Sequence, residues 1–145
     1  MKTSKNLIVT GTLAGFATVL LSLVSTGNAQ DNKKAWVAPA AEKTVKNPAK
    51  ADDANIAAGK VLYTKHCKSC HGATGKGDGP KAAELETPTG DFSEDDTQKQ
   101  TDGELHYKIK KGNGDMPSFE KKITDDDEIW QIVNYVRTFK ASAEK

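Results

Sequence analysis

The chain has 145 residues, with 21 Lys and Arg against 20 Asp and Glu and a formal charge of +1. That balance excludes the basic excess on which nucleic-acid binding depends. With 36% hydrophobic residues and a mean hydropathy of −0.64 the chain is low for a membrane protein, and its length suits one domain.

Residues 1–29 read as a secretory signal. Lys2 and Lys5 precede an apolar run over residues 7–24, and Gly27 and Ala29 form a small-x-small cleavage site. The run is long, so an uncleaved membrane anchor is the alternative. Cleavage after Ala29 removes both lysines and leaves a formal charge of about −1. Residues 30–53 are rich in Ala and Lys, contain Pro39 and Pro48, and read as a flexible linker. Their one large apolar group, Trp36 beside Val37, is either a docking group or an isolated surface aromatic.

A helix begins at about residue 54, with Asp52 and Asp53 available as caps. Ile56, Gly59, Leu62, Tyr63, His66 and Cys67 share one face of it. Gly59 weakens a helix by about 1 kcal/mol, which points to close approach by another backbone. Residues 72–96 read as loop, with Gly72, Gly75, Gly77, Gly79, Pro80, Pro88 and Gly90. So long an irregular stretch in a small domain implies that it wraps something besides its own side chains. A second helix starts on the capping-box spacing of Thr101 and Glu104 and stops at Gly112. After a loop containing Met116 and Pro117, a third helix starts at Thr124. Its first turn carries Asp125, Asp126, Asp127 and Glu128, and its stripe is Ile129, Ile132, Val133, Val136 and Phe139, widened by Trp130 and Tyr135.

No strand pattern is present. The expected fold is all-α, three to four helices around a glycine-rich loop, with the domain at residues 54–141 and a tail at 142–145. Leu62, Leu85, Leu105, Ile109, Phe119, Trp130 and Val133 are the candidate core or cofactor-packing groups. A domain of roughly 90 residues with so few large apolar side chains has a marginal core and calls for a staple. Its two cysteines, Cys67 and Cys70, close almost no loop if paired, so a cofactor is the better candidate.

The run Cys67-Lys68-Ser69-Cys70-His71 is a Cys-x-x-Cys-His motif, the attachment sequence of c-type haem. Two thiols three residues apart on a helical turn reach two vinyl groups on one porphyrin edge. The next residue then brings an imidazole to the iron. A zinc site needs two further ligands that the chain does not offer nearby. A thioredoxin-like thiol pair needs a βαβ setting, which is missing. The motif therefore predicts one covalently bound haem c, held by Cys67 and Cys70 and ligated by His71. Met116 is the only methionine left after cleavage and lies in a Gly/Pro-rich loop, so it is the first candidate for the sixth ligand. His106 and an open site are the alternatives, and His66 is tied too close to Cys67 to reach the opposite face.

Over residues 56–139 the chain resembles the small bacterial class I cytochromes c. Gly59 and Tyr63 stand where that family crosses its terminal helices, and they would meet Ile132 and Tyr135. Residues 75–80 resemble the loop below the haem, which implies that the Pro80 carbonyl accepts the Nδ1 proton of His71. Met116-Pro117 and Phe119 resemble the family's distal ligand loop, which also favours the His71/Met116 pair.

The resemblance implies an exported, periplasmic monohaem one-electron carrier rather than an enzyme. Its partners are donor and acceptor redox proteins, and it is a monomer or a subunit of a complex. The alternative is a haem-containing subunit or small haem enzyme with a labile sixth ligand. The only arginine, Arg137, lies on the last helix, so no distal His–Arg pair suited to peroxide is offered. Lys65, Lys68, Lys76, Lys81, Lys108, Lys110, Lys111, Lys121 and Lys122 form either a basic docking rim or an ordinary solvated surface. Asp91, Glu94, Asp95 and Asp96 oppose them.

Overall fold

The computed structural model describes residues 36–143, with side chains through Lys140. The expected signal, its cleavage point, residues 30–35 and the end of the chain lie outside the described residues. The elements are a 3-10 turn at Ala40–Thr44, α1 at Asp53–His66, α2 at Lys68–His71 and a 3-10 turn at Ala82–Glu84. They continue with α3 at Asp95–Gln98, α4 at Asp102–Lys111 and α5 at Asp126–Ala143. Among the described residues there is no strand, only an isolated bridge between Asn113 and Met116.

Local chemistry explains the helix ends. The Asp52 side chain accepts from the Asn55 N–H at 2.9 Å to start α1. Thr101 and Glu104 form the expected capping box, with Thr101 N–H donating to Glu104 at 2.8 Å. Gly112, at φ 67°, ends α4. The last helix starts two residues after the expected Thr124, because Asp125 stays outside it as a cap. The Asp125 carboxylate accepts the Asp127 N–H at 3.0 Å.

α1 crosses α5, and the two form the main helix pair of the core. A β-carbon on Gly59 would run into the carbonyl of Gln131 and stand 3.1 Å from Tyr135 Cβ. The expected close approach is therefore present, with Gln131 rather than Ile132 as the backbone neighbour. Tyr63 packs edge-on to Tyr135 at 5.2 Å, and Tyr63, Ile129, Ile132 and Val133 are the largest fully buried side chains. Arg137 on α5 binds Asp102 Oδ1 through Nε and Nη2, at 2.9 and 2.7 Å. It also donates to the carbonyls of Gln98 and Gln100, which fixes the turn between α3 and α4.

Residues 36–53 differ from the expected flexible linker, since they are laid across α4 and α5. Ala38 is buried, and Lys108 Nζ stands 5.3 Å from the centre of the Trp36 ring. Gly103 on α4 leaves room for the backbone of Glu42 and Val45. Asn134, buried on α5, accepts from Asn47 Nδ2 at 2.8 Å and donates to the carbonyls of Ala49 and Lys50. A buried amide on an apolar helix face needs such partners, and this strap supplies them.

Candidate functional site

α1 stops at His66, and Cys67 caps it, with its N–H donating to the Tyr63 carbonyl at 2.8 Å. The chain turns directly into α2, where the N–H groups of Cys70 and His71 both return to the Cys67 carbonyl, at 3.2 and 2.9 Å. One turn of backbone thus carries both cysteines and the histidine. Both thiols are free. Cys67 is buried and Cys70 half-buried. Burial, helped by the neighbouring Cys70, pushes the Cys67 thiol up to about 12.

The His71 ring lies flat against Phe92, with centroids 4.4 Å apart and planes 22° apart. Burial pulls its pKa down to about 4, so the imidazole is neutral at ordinary pH. Beneath it the Tyr63 hydroxyl donates to the Gly72 carbonyl at 2.8 Å, and burial pushes that phenol pKa up. His71 Nδ1 is buried with no hydrogen-bond partner. The expected bond from Nδ1 to the Pro80 carbonyl is therefore not formed in this structure, in which the ring stacks on Phe92.

Pro80 is nonetheless held beside the motif. Gly79 N–H donates to the Cys70 carbonyl at 3.1 Å and Lys81 N–H to the Ser69 carbonyl at 2.8 Å. Gly77 N–H donates to the His71 carbonyl at 3.0 Å, and Thr89 Oγ1 to the Gly77 carbonyl at 2.8 Å. The glycine-rich loop is thus folded onto the motif's own backbone.

Met116 sits half-buried in a tight turn after α4. Asn113 and Met116 exchange two backbone hydrogen bonds, at 2.9 and 3.0 Å, and Gly114 has φ 55°. The turn is fixed at its base, where the Ser118 hydroxyl and Phe119 N–H donate to the Lys110 carbonyl at 2.8 and 3.2 Å. Across from it, Thr87 N–H donates to Asp115 Oδ2 at 2.9 Å.

Cys67, His71 and Met116 line one apolar cavity of about 20 Å³ together with Tyr63, Phe92, Ile109, Ile132 and Val136. His106 is not among its walls. It is buried rather than partly exposed, stacked on Trp130 at 3.8 Å, with Nε2 3.1 Å from the Asp126 carboxylate. His66 lies edge-on to Phe119 at 5.8 Å, also outside the lining. Of the candidate packing groups, Leu105, Ile109, Phe119, Trp130 and Val133 are buried, and Leu62 and Leu85 are half-buried. Phe92 was missed as a site residue; its signal was a lone aromatic in a stretch of glycine, proline and acids.

The basic side chains divide into two sets. Lys110 pairs with Asp126 at 2.7 Å, Lys111 pairs with Glu120 at 2.9 Å, and Lys108 binds Gln100. Among the described residues, Lys65, Lys68, Lys76, Lys81, Lys121 and Lys122 make no ion pair. Lys68 lies between the two cysteines in sequence.

Residues 54–136 match the family model described as cytochrome c oxidase, cbb3-type, subunit III. No curated protein matches the chain. Among solved structures, the chain is similar to part of the Kuenenia stuttgartiensis reducing HAO-like protein complex Kustc0457/Kustc0458. Identity is 32% and the TM-score 0.56, over 63% of this chain and 46% of that one. This chain therefore spans less than half of that neighbour. It is also similar to the KustC0563 c-type cytochrome, at 32% identity and a TM-score of 0.50, over 57% of this chain and 96% of that one.

Proposed function

The chain belongs to the cytochrome c family of cbb3-type oxidase subunit III, and we propose that it is an exported monohaem carrier that passes single electrons between larger redox proteins. The observation that carries this reading is the shared cavity: Cys67, His71 and Met116 face one apolar space, and His106 does not.

The residues suit a covalently held haem c, the group that cytochromes of this family carry. They offer two free thiols on one turn, a buried imidazole with an unpartnered nitrogen, a thioether and apolar walls. A porphyrin needs a much wider slot than this cavity. Of the lining residues Phe92 and Met116 stand in loops outside the helices, and in this reading they would move apart to admit it.

Bound haem supplies the Fe(III)/Fe(II) couple. Cys67 and Cys70 would hold it as thioethers, and His71 would present a neutral imidazole, the form that binds metal. Met116 presents a thioether, which favours the ferrous state and raises the potential. Ile109, Ile132 and Val136 keep water out. The Pro80 carbonyl, on a loop clamped to Cys70 and Ser69, would be the acceptor for His71 Nδ1 in the haem-bound protein. Residues 1–29 supply export to the periplasm in this reading, and residues 54–141 the carrier domain. Among the described residues no helix is long and apolar enough to cross a membrane.

The test is a visible spectrum of protein matured with haem-attachment machinery. Sharp reduced α and β bands and a weak far-red ferric band are expected, the signature of low-spin His/Met iron. A high-spin or bis-histidine spectrum removes Met116 from its role. A colourless protein removes the haem.

A second reading, a haem-bearing subunit of a larger oxidoreductase, draws support from the likeness to the reducing HAO-like complex. Co-purification of the tagged chain with a redox enzyme from its native host favours it; isolation as a lone carrier favours the first.

A further inference from the structure

We infer that Asp115 is a positioning residue for Met116, holding the distal ligand turn to the loop that is folded on His71. This rests on the proposed His71/Met116 ligation and adds what controls how readily the thioether leaves.

A path of hydrogen bonds and short stretches of chain runs from one proposed ligand to the other. The His71 carbonyl accepts from Gly77 N–H at 3.0 Å, and the Gly77 carbonyl accepts from Thr89 Oγ1 at 2.8 Å. Two residues earlier, Thr87 N–H donates to Asp115 Oδ2 at 2.9 Å, and Asp115 directly precedes Met116. Without this last contact, the turn still has its anchor on Lys110 at the end of α4. That anchor fixes its base but lies beyond Met116 in the chain. The Asn113–Met116 bonds close the turn on itself, and the contact to Thr87 is what ties that closed turn to the neighbouring loop. A carboxylate accepting a backbone N–H is suited to this, because ionisation strengthens the bond while the donor is fixed by the chain. Nothing else in the mechanism uses Asp115.

The test measures how fast azide or imidazole binds ferric holoprotein, a rate limited by departure of the methionine. Asp115→Ala is expected to speed ligand entry between about threefold and tenfold, the range open to one exposed hydrogen bond. The far-red ferric band should remain visible but weaker. Asp115→Asn should return the rate most of the way to the parent's, because its amide oxygen still accepts from Thr87 through a weaker, uncharged bond. Thr87→Ala should also match the parent, because the donor is main chain. If Asp115→Ala retains the far-red band and binds ligand at the parent rate, the positioning role is overturned while the ligation stands. An Asp115→Asn rate as fast as that of Asp115→Ala overturns it as well, by showing that the bond to Thr87 is not the cause. If the parent lacks the far-red band, the ligation itself fails and the inference falls with it.

Discussion

At the residue scale the proposed site rests on Cys67, Cys70, His71 and Met116. Met116→Ala is expected to keep the haem, since the thioethers are untouched, but to open the sixth position to azide. Titrating ferric variant and parent with azide checks this: saturation at much lower azide in the variant supports the ligand role, and equal curves refute it. The Cys-x-x-Cys-His run was fully legible because the bond-forming groups are neighbours in sequence. The placing of Met116 on the same cavity as Cys67 and His71 was legible from its being the one methionine in a Gly/Pro-rich loop. The Pro80 contact and Phe92 were not. Whether a carbonyl meets an imidazole depends on a ring torsion, and a lone Phe in a loop carries no periodicity.

At the element scale the crossing of α1 on α5 depends on the absence of a side chain. Gly59→Ala improves helix propensity by about 1 kcal/mol, yet its methyl meets the Gln131 carbonyl, which is backbone and cannot swing away. The expected net loss is about 1–3 kcal/mol, read as a thermal midpoint several degrees lower. An unchanged or higher midpoint would mean that the helices are free to separate. His106 makes a second link, between α4 and α5. Burial lowers its pKa, outweighing the upward pull of Asp126. Lys110 also pushes it down and Glu42 pulls it up. With the folded pKa below the ordinary value, protons bind the unfolded chain first. Its stability contribution is therefore full above about pH 6.5 and declines as pH falls. His106→Phe keeps the stack on Trp130 without the titration, so its thermal midpoint should fall less between pH 7 and pH 5 than the parent's. Parallel curves would exclude His106 as a source of acid lability.

The helices themselves were legible from spacing and caps. The strap at residues 36–53 was not, because Ala, Lys and Pro describe a solvated tether equally well. The two features that mark its seat, Gly103 and Asn134, lie far along the chain on helices read for their apolar faces.

At the scale of the whole molecule, near-neutral charge conceals an uneven distribution. The α4 lysines are largely neutralised by Asp126 and Glu120, whereas those flanking the cysteine motif are not. A small anionic oxidant is therefore expected to react with reduced holoprotein faster at low ionic strength. The rate should fall several-fold as salt is raised through about 0.1 M, where the screening length is about 10 Å. A cationic oxidant should show the opposite trend. Stopped-flow rates at two salt concentrations decide this, and equal salt dependence for both oxidants would mean that the exposed lysines are a solvated surface without steering.

The burial of Cys67 constrains the order of maturation. Its thiol lies where α1 ends, against a core that α5 completes, and only a small fraction is ionised once that core has formed. A bond to this sulfur is far easier to make on a chain whose last helix has not yet docked. In the proposed reading, attachment at Cys67 would therefore precede docking of the last helix, whose Gln131 carbonyl sits over Gly59.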